Sequence, residues 1–251
     1  MGWEDGRVTT APATRFDLFT VPAAAVPRAI GHMATDRRRL RRAAPVFWKL
    51  LGTGDGRTFD ARDADLRRWA VLTVWPSTAA AQAFGTSSPV VRAWRDLADE
   101  HWWAHLRTLR TTGAWSRRRP FEATGGQPDA AGATTPRRAP ATAPIAAVTR
   151  ARLRWSRAPR FWRSIAPVNE QLSAAEGLRL RLGIGEAPVG LQGTFTLWES
   201  ASAMRAFAYR GAAHRAVIDR SAAERWYAEE LFARFVVTAH GGTVGGVDPL
   251  R

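Results

Sequence analysis

The chain has no cysteine. That excludes disulfides, iron–sulfur clusters and thiolate-held zinc or haem, so any metal must take nitrogen or oxygen ligands. It also favours a reducing compartment. Lysine is almost absent: of 37 basic residues only Lys49 is a lysine, and the net charge of +15 is carried by arginine. Such a charge invites a nucleic-acid reading, but no binding motif accompanies it and no nucleic-acid partner is expected. No apolar run reaches membrane-spanning length, the nearest, 21–33, being broken by Pro27 and Arg28. Residues 1–15 open with Glu4 and Asp5 and lack an apolar core, which reads as a loose tail and not as a signal or anchor. The expected location is the cytoplasm, with peripheral contact at the inner face of the cell membrane. The arginines of 37–42 supply either a basic patch for that contact or a solvated helix face.

Several chemistries lack their residues. There is no Gly-x-Ser-x-Gly elbow and no recognisable Ser/His/Asp set, so hydrolysis is not indicated. His101 and His105 are four apart but flank Trp102 and Trp103 without the glutamate of a zinc helix. The glycines of 52–56 and 183–185 lack the helix start of a phosphate loop and read as strand exits with positive φ. Glu229 and Glu230 could serve acid/base chemistry, but paired acids at a helix end are more often solvated or paired with arginine.

What is present is a repeat. Residues 70–84 align without a gap on 193–207, matching Thr73 with Thr196, Trp75 with Trp198, Ser77 with Ser200 and Phe84 with Phe207. Two copies of one unit of about 110 residues follow from this. Each copy reads as strand, helix, strand, strand, helix, strand, the split βαβ order. The expected organisation is a tail over 1–15, a first half over 16–120, a linker rich in Ala, Thr and Pro over 121–144, a second half over 145–239 and an irregular tail over 240–251. The expected fold class is α+β: tandem ferredoxin-like repeats forming an intramolecular pseudo-dimeric α/β barrel, because each four-stranded sheet needs its second face covered. The second helix of each half is expected to be long and broken, over 78–106 and 201–230.

Twelve tryptophans and eleven phenylalanines against two tyrosines make the aromatic content apolar. Alternation puts Thr73 and Trp75, and Thr196 and Trp198, on one strand face. That face is assigned to the barrel interior and the aliphatic face to the helices. Trp75 and Trp198, with Thr73 and Thr196, then either line a pocket for a hydrophobic ligand or pack as plain core. His214 has no counterpart in the first copy, which carries Val91 there. On a helix, Val217 and Ile218 at i+3 and i+4 place its ring on the apolar face, either as a ligand or as a core histidine bonded to a carbonyl.

The chain resembles the spheroidene monooxygenases of carotenoid biosynthesis. The resemblance is carried by Phe47-Trp-Lys-Leu-Leu-Gly-Thr-Gly-Asp-Gly56, Trp69-Ala-Val-Leu-Thr-Val-Trp75, Gly113-Ala-Trp-Ser116, Val148-Thr-Arg-Ala151, Leu182-Gly-Ile-Gly-Glu-Ala-Pro188 and Trp226-Tyr-Ala-Glu-Glu-Leu-Phe-Ala-Arg-Phe235. It implies a haem-containing monooxygenase that uses O2 and a reduced ferredoxin to introduce keto groups, through hydroxylation, at C-2 of an acyclic carotenoid such as spheroidene. It also implies His214 as the axial ligand of the haem iron. A cofactor-free oxygenase of the same barrel class and a carrier of a hydrophobic ligand are the alternatives.

Overall fold

The structure is a computed structural model, and it describes residues 12–57, 63–122, 139–153, 171–187, 193–210 and 227–251. Its centre is a closed barrel of eight antiparallel strands: β1 (Ala13–Thr20), β2 (Phe47–Gly54), β3 (Ala64–Trp75), β4 (Glu100–Gly113), β5 (Ile145–Leu153), β6 (Leu178–Gly185), β7 (Gly193–Trp198) and β8 (Tyr227–Gly242). Around the barrel the order is β1-β3-β2-β6-β7-β5-β8-β4. Within each half the strands therefore stand in the same relative order, fourth, first, third, second. The helices lie outside: α1 (Val26–Ala43), α2 (Thr78–Ser87), α3 (Pro89–Arg95) and α4 (Ala201–Arg210).

Local chemistry explains the helix ends. Ala44 at φ 55° ends α1 in a left-handed cap, and Pro45 prevents continuation. Ser77 caps α2 by accepting from Ala80 N, and Ser88 caps α3 by accepting from Val90 N, with Pro89 in the first turn. The expected long helix over 78–106 is corrected here. It ends at Arg95, and β4 begins at Glu100, because Trp102, Ala104 and Leu106 alternate with His101, Trp103 and His105 in strand period. In the second half α4 covers the described residues Ala201–Arg210, the expected helix over 211–226 lies outside the described residues, and residues 227–230 belong to β8, which runs on to Gly242 into the segment expected to be an irregular tail.

The halves meet along two seams. One pairs Gly52, Thr53 and Gly54 with Gly185, Ile184 and Gly183, so the two glycine-rich segments are each other's partners. Of these glycines only Gly56, just beyond, has positive φ (65°), which corrects the reading of both segments as positive-φ strand exits. The other seam is the long pairing of β4 with β8. It ends in a reciprocal exchange. Glu229 accepts from the backbone N–H groups of Ser116 and Arg117 in the turn after β4, and Glu100 accepts from those of Gly245 and Gly246 in the turn after β8.

The interior is full. Phe16, Leu72, Trp102, Phe195, Leu197 and Phe235 belong to one buried cluster drawn from both halves, and Phe16 stacks on Phe195 with centroids 4.1 Å apart. An eight-stranded barrel is just wide enough for side chains to fill it. The face assignment made from sequence is thus reversed: Leu72, Val74, Phe195 and Leu197 point inward, and the Thr/Trp positions point outward to the helices. Both strand faces are buried, so alternation alone could not say which was which.

Candidate functional site

The four predicted pocket residues lie outside the barrel, in two matching pairs. Trp75 Nε1 donates to Thr73 Oγ1 at 2.9 Å, and Trp198 Nε1 donates to Thr196 Oγ1 at 3.1 Å. Trp75 packs on Phe84 with centroids 5.0 Å apart and Trp198 on Phe207 at 5.2 Å. Each tryptophan is a buried strand-to-helix contact with its polar atom satisfied, so neither lines the barrel interior. His214 lies outside the described residues. Its counterpart in the repeat, Val91, is buried among the helices over the first half's sheet.

The outer faces of the two half-sheets differ in what stands on them. In the first half Arg15 is paired in register with Thr73 and His105, and Asp17 with Val71 and Trp103. In the second half Ala147 is paired with Thr196 and Arg234, and Thr149 with Thr194 and Phe232. Arg15 and Asp17 are therefore replaced by Ala147 and Thr149, and Phe19 by Ala151. The first face is filled. Arg15 and Asp17 form a bidentate pair at 2.8 and 2.7 Å, His101 Nε2 donates to Asp17 at 2.8 Å, and Arg15 bonds His105 Nε2 at 3.2 Å. Gly85 of α2 sits so close that an added Cβ would lie 2.3 Å from the Arg15 guanidinium carbon.

The second face has a floor of small side chains, of which Ala147 and Thr196 are buried. Ala147, Thr149, Thr194 and Thr196 form it, and next along the rows come Arg234 on β8 and Arg181 on β6. Arg234 and Arg181 are separated by three strand spacings, about 14 Å. Phe232 lies beside Arg234, whose guanidinium stands 5.6 Å from the ring centroid. Burial, and then the neighbouring charge of Arg110, hold Arg234 below the usual guanidinium range. A haem is a flat, mostly apolar macrocycle with carboxylates at one edge. A floor of small side chains bordered by cations fits that shape and charge, whereas the filled first face does not.

Each histidine of the described residues has a charged neighbour, although the buried Nδ1 atoms of His105 and His240 have no hydrogen-bond partner. His32 pairs with Asp36 at 3.1 Å, His101 with Asp17, His105 with Arg15, and His240 with Asp248 at 3.3 Å. Burial and the Arg15 charge push His105 toward its neutral form. No group of three His, Asp or Glu side chains among the described residues could hold a metal.

A second polar cluster, missed in the sequence, closes one end of the barrel. Glu186 accepts from Lys49, from Trp115 Nε1 at 2.7 Å and from Arg150 at 3.1 Å. Arg150 also pairs with Glu229, and Lys49 donates to Ser116 at 2.7 Å. Glu229 is thus spent on Arg150 and a turn, not held for acid/base work. Every member comes from a segment that carried the family resemblance. The lone lysine, at an inward position of β2, was the sequence signal for it.

No family model matches the chain. The spheroidene monooxygenase of Rhodobacter capsulatus is 31% identical over 241 residues, which is 95% of this chain and 95% of that protein. The spheroidene monooxygenase of Cereibacter sphaeroides is 32% identical over 205 residues, 81% of this chain but only 59% of that protein's length. Among solved structures, an aldoxime dehydratase matches with a TM-score of 0.56 at 12% identity, covering 93% of this chain and 83% of that one. That match is a likeness of fold alone. Identity above 30% along nearly the whole of the Rhodobacter protein is decisive: the chain belongs to the spheroidene monooxygenase family of oxidoreductases.

Proposed function

We propose that this protein is a haem-dependent monooxygenase that hydroxylates an acyclic carotenoid, or a related hydrophobic molecule, and carries C-2 to the ketone, using O2 and electrons from a reduced ferredoxin. The single observation that carries the reading is the contrast between the two outer sheet faces, one filled and one reduced to Ala147, Thr149, Thr194 and Thr196. The family membership supplies the reaction class. Bound haem would supply the activation of O2 needed to attack an unactivated C–H bond. The chain's own residues do the rest: the floor gives a flat ligand close approach, and the full barrel keeps the substrate outside it. His214 would hold the iron. It is supported by the buried place of Val91 at the matching position.

On the same reading the halves are ferredoxin-like repeats in a pseudo-dimeric α/β barrel. The shared strand order and the Glu100/Glu229 exchange support this. Among the described residues no helix is long and apolar enough to cross a membrane. A cytoplasmic protein would then reach its lipid-soluble substrate by resting the exposed arginines of α1, Arg37, Arg38, Arg41 and Arg42, on anionic lipid.

His214→Ala is expected to abolish the Soret band of haem-reconstituted protein and carotenoid turnover, while His105→Ala keeps the band. A wild-type spectrum in His214→Ala would place the ligand elsewhere. Binding to anionic vesicles is expected at low salt and release at about 1 M, where the screening length falls to about 3 Å. Retention until detergent is added would rule out docking by α1.

A further inference from the structure

Among the described residues Arg234 has no carboxylate partner. Several other arginines of the strands and helices do have carboxylates: Arg15 has Asp17, Arg39 has Asp36, Arg150 has Glu186 and Glu229, and Arg179 has Glu199. Arg234 Nε is shielded from solvent and has no hydrogen-bond partner. The residue opposite it on β4 is Arg110, so the strand pairing adds like charge instead of relief. A buried N–H left unmade and a guanidinium beside another are both unfavourable, and the fold gains nothing from either. At the matching place in the first half stands His105, already partnered by Arg15. The mismatch belongs to the face whose floor is built of small side chains.

We propose that Arg234 is an anion-recognition residue, taking a carboxylate of the flat ligand that lies over Ala147, Thr149, Thr194 and Thr196. This rests on the haem reading above, which makes that carboxylate a haem propionate. The guanidinium fork of Nε and Nη presents parallel donors that a carboxylate accepts in bidentate fashion. Phe232 supports the guanidinium from beside, and Arg110 raises the local positive potential toward an incoming anion.

The test compares haemin with its dimethyl ester, in which the propionates are uncharged. Purified protein is titrated with each and the dissociation constant read from the Soret band. Wild type is expected to prefer the diacid by about tenfold or more. Arg234→Leu should lose that preference by weakening the diacid and leaving the diester unchanged, and the unchanged diester constant shows that the floor is intact. Should Arg234→Leu not fold, Arg234→Gln is read in the same way. A variant that keeps the preference overturns this inference and leaves the haem reading standing. Absence of any Soret shift with wild type overturns both.

Discussion

Asp17→Ala is expected to cost about 3–5 kcal/mol of folding stability, the penalty for removing one partner of a buried ion pair. Asp17 is wholly buried and Arg15 only 3% exposed, so water cannot replace the lost carboxylate. His101 would lose its acceptor at the same time, since Arg95 Nε donates to its Nδ1 at 3.0 Å and leaves only Nε2 to bond Asp17. Against a total stability of about 5–15 kcal/mol, that is a large share. Urea denaturation measures it. A loss under about 1 kcal/mol would mean that the pair is not a net contributor. The double variant Arg15→Met with Asp17→Leu should recover most of the loss, because removing both charges removes the desolvation penalty as well.

The same group sets an acid limit. Burial raises the Asp17 proton affinity, but the His101 hydrogen bond and the Arg15 charge outweigh it and hold the carboxyl below its ordinary range. A carboxylate whose folded affinity is depressed stabilises fully above its unfolded value, about pH 4, and loses that contribution as pH falls through the folded value. Wild-type stability should therefore drop below about pH 4. Asp17→Ala should be flatter there.

Much of the fold was legible because the repeat was legible. The strand beginning at Ile145 was placed, and the match of residues 70–84 with 193–207 anticipated that Trp75 and Trp198 occupy equivalent places, though not their contacts with Thr73 and Phe84 or Thr196 and Phe207. The two large errors have separate origins, a choice between periods and a choice between two buried faces. His101 to Leu106 follows a helical stretch and is rich in large residues, so it read as its continuation, although Trp102, Ala104 and Leu106 alternate. Which strand face is inside was undecidable from Leu72 and Trp75 alone, since a barrel wrapped in helices buries both. The floor was hidden for a different reason. Ala147 and Thr149 are unremarkable until register sets them against Arg15 and Asp17, and register is a property of pairing. The charge on Arg234 likewise gains meaning only beside Arg110.

Arg150→Met is expected to cost about 3 kcal/mol, at the low end for a buried pair because Glu186 is a third exposed. Arg150 is 5% exposed and, among the described residues, is the one side chain that touches both Glu186 and Glu229. Without it Glu186 keeps Lys49 and Trp115, but among the described residues Glu229 keeps only the backbone of a turn in which Ser116 and Arg117 stand at φ 54° and 59°. Such left-handed residues cost about 1–2 kcal/mol each, and the Glu229 clamp helps to hold them. The corresponding turn after β8 has Gly245 and Gly246 at φ 63° and 81°, where no such cost arises, and its clamp, Glu100, feels the charge of Arg68 but forms no ion pair like that with Arg150 among the described residues. Glu229→Gln should thus destabilise more than Glu100→Gln. Lys49→Met should cost less than Arg150→Met, since Glu186 then retains Arg150. Urea titrations of the four variants give the order. Equal losses for Lys49→Met and Arg150→Met would show that the cluster shares its charge evenly and that Arg150 is not what joins the strand ends to the turn.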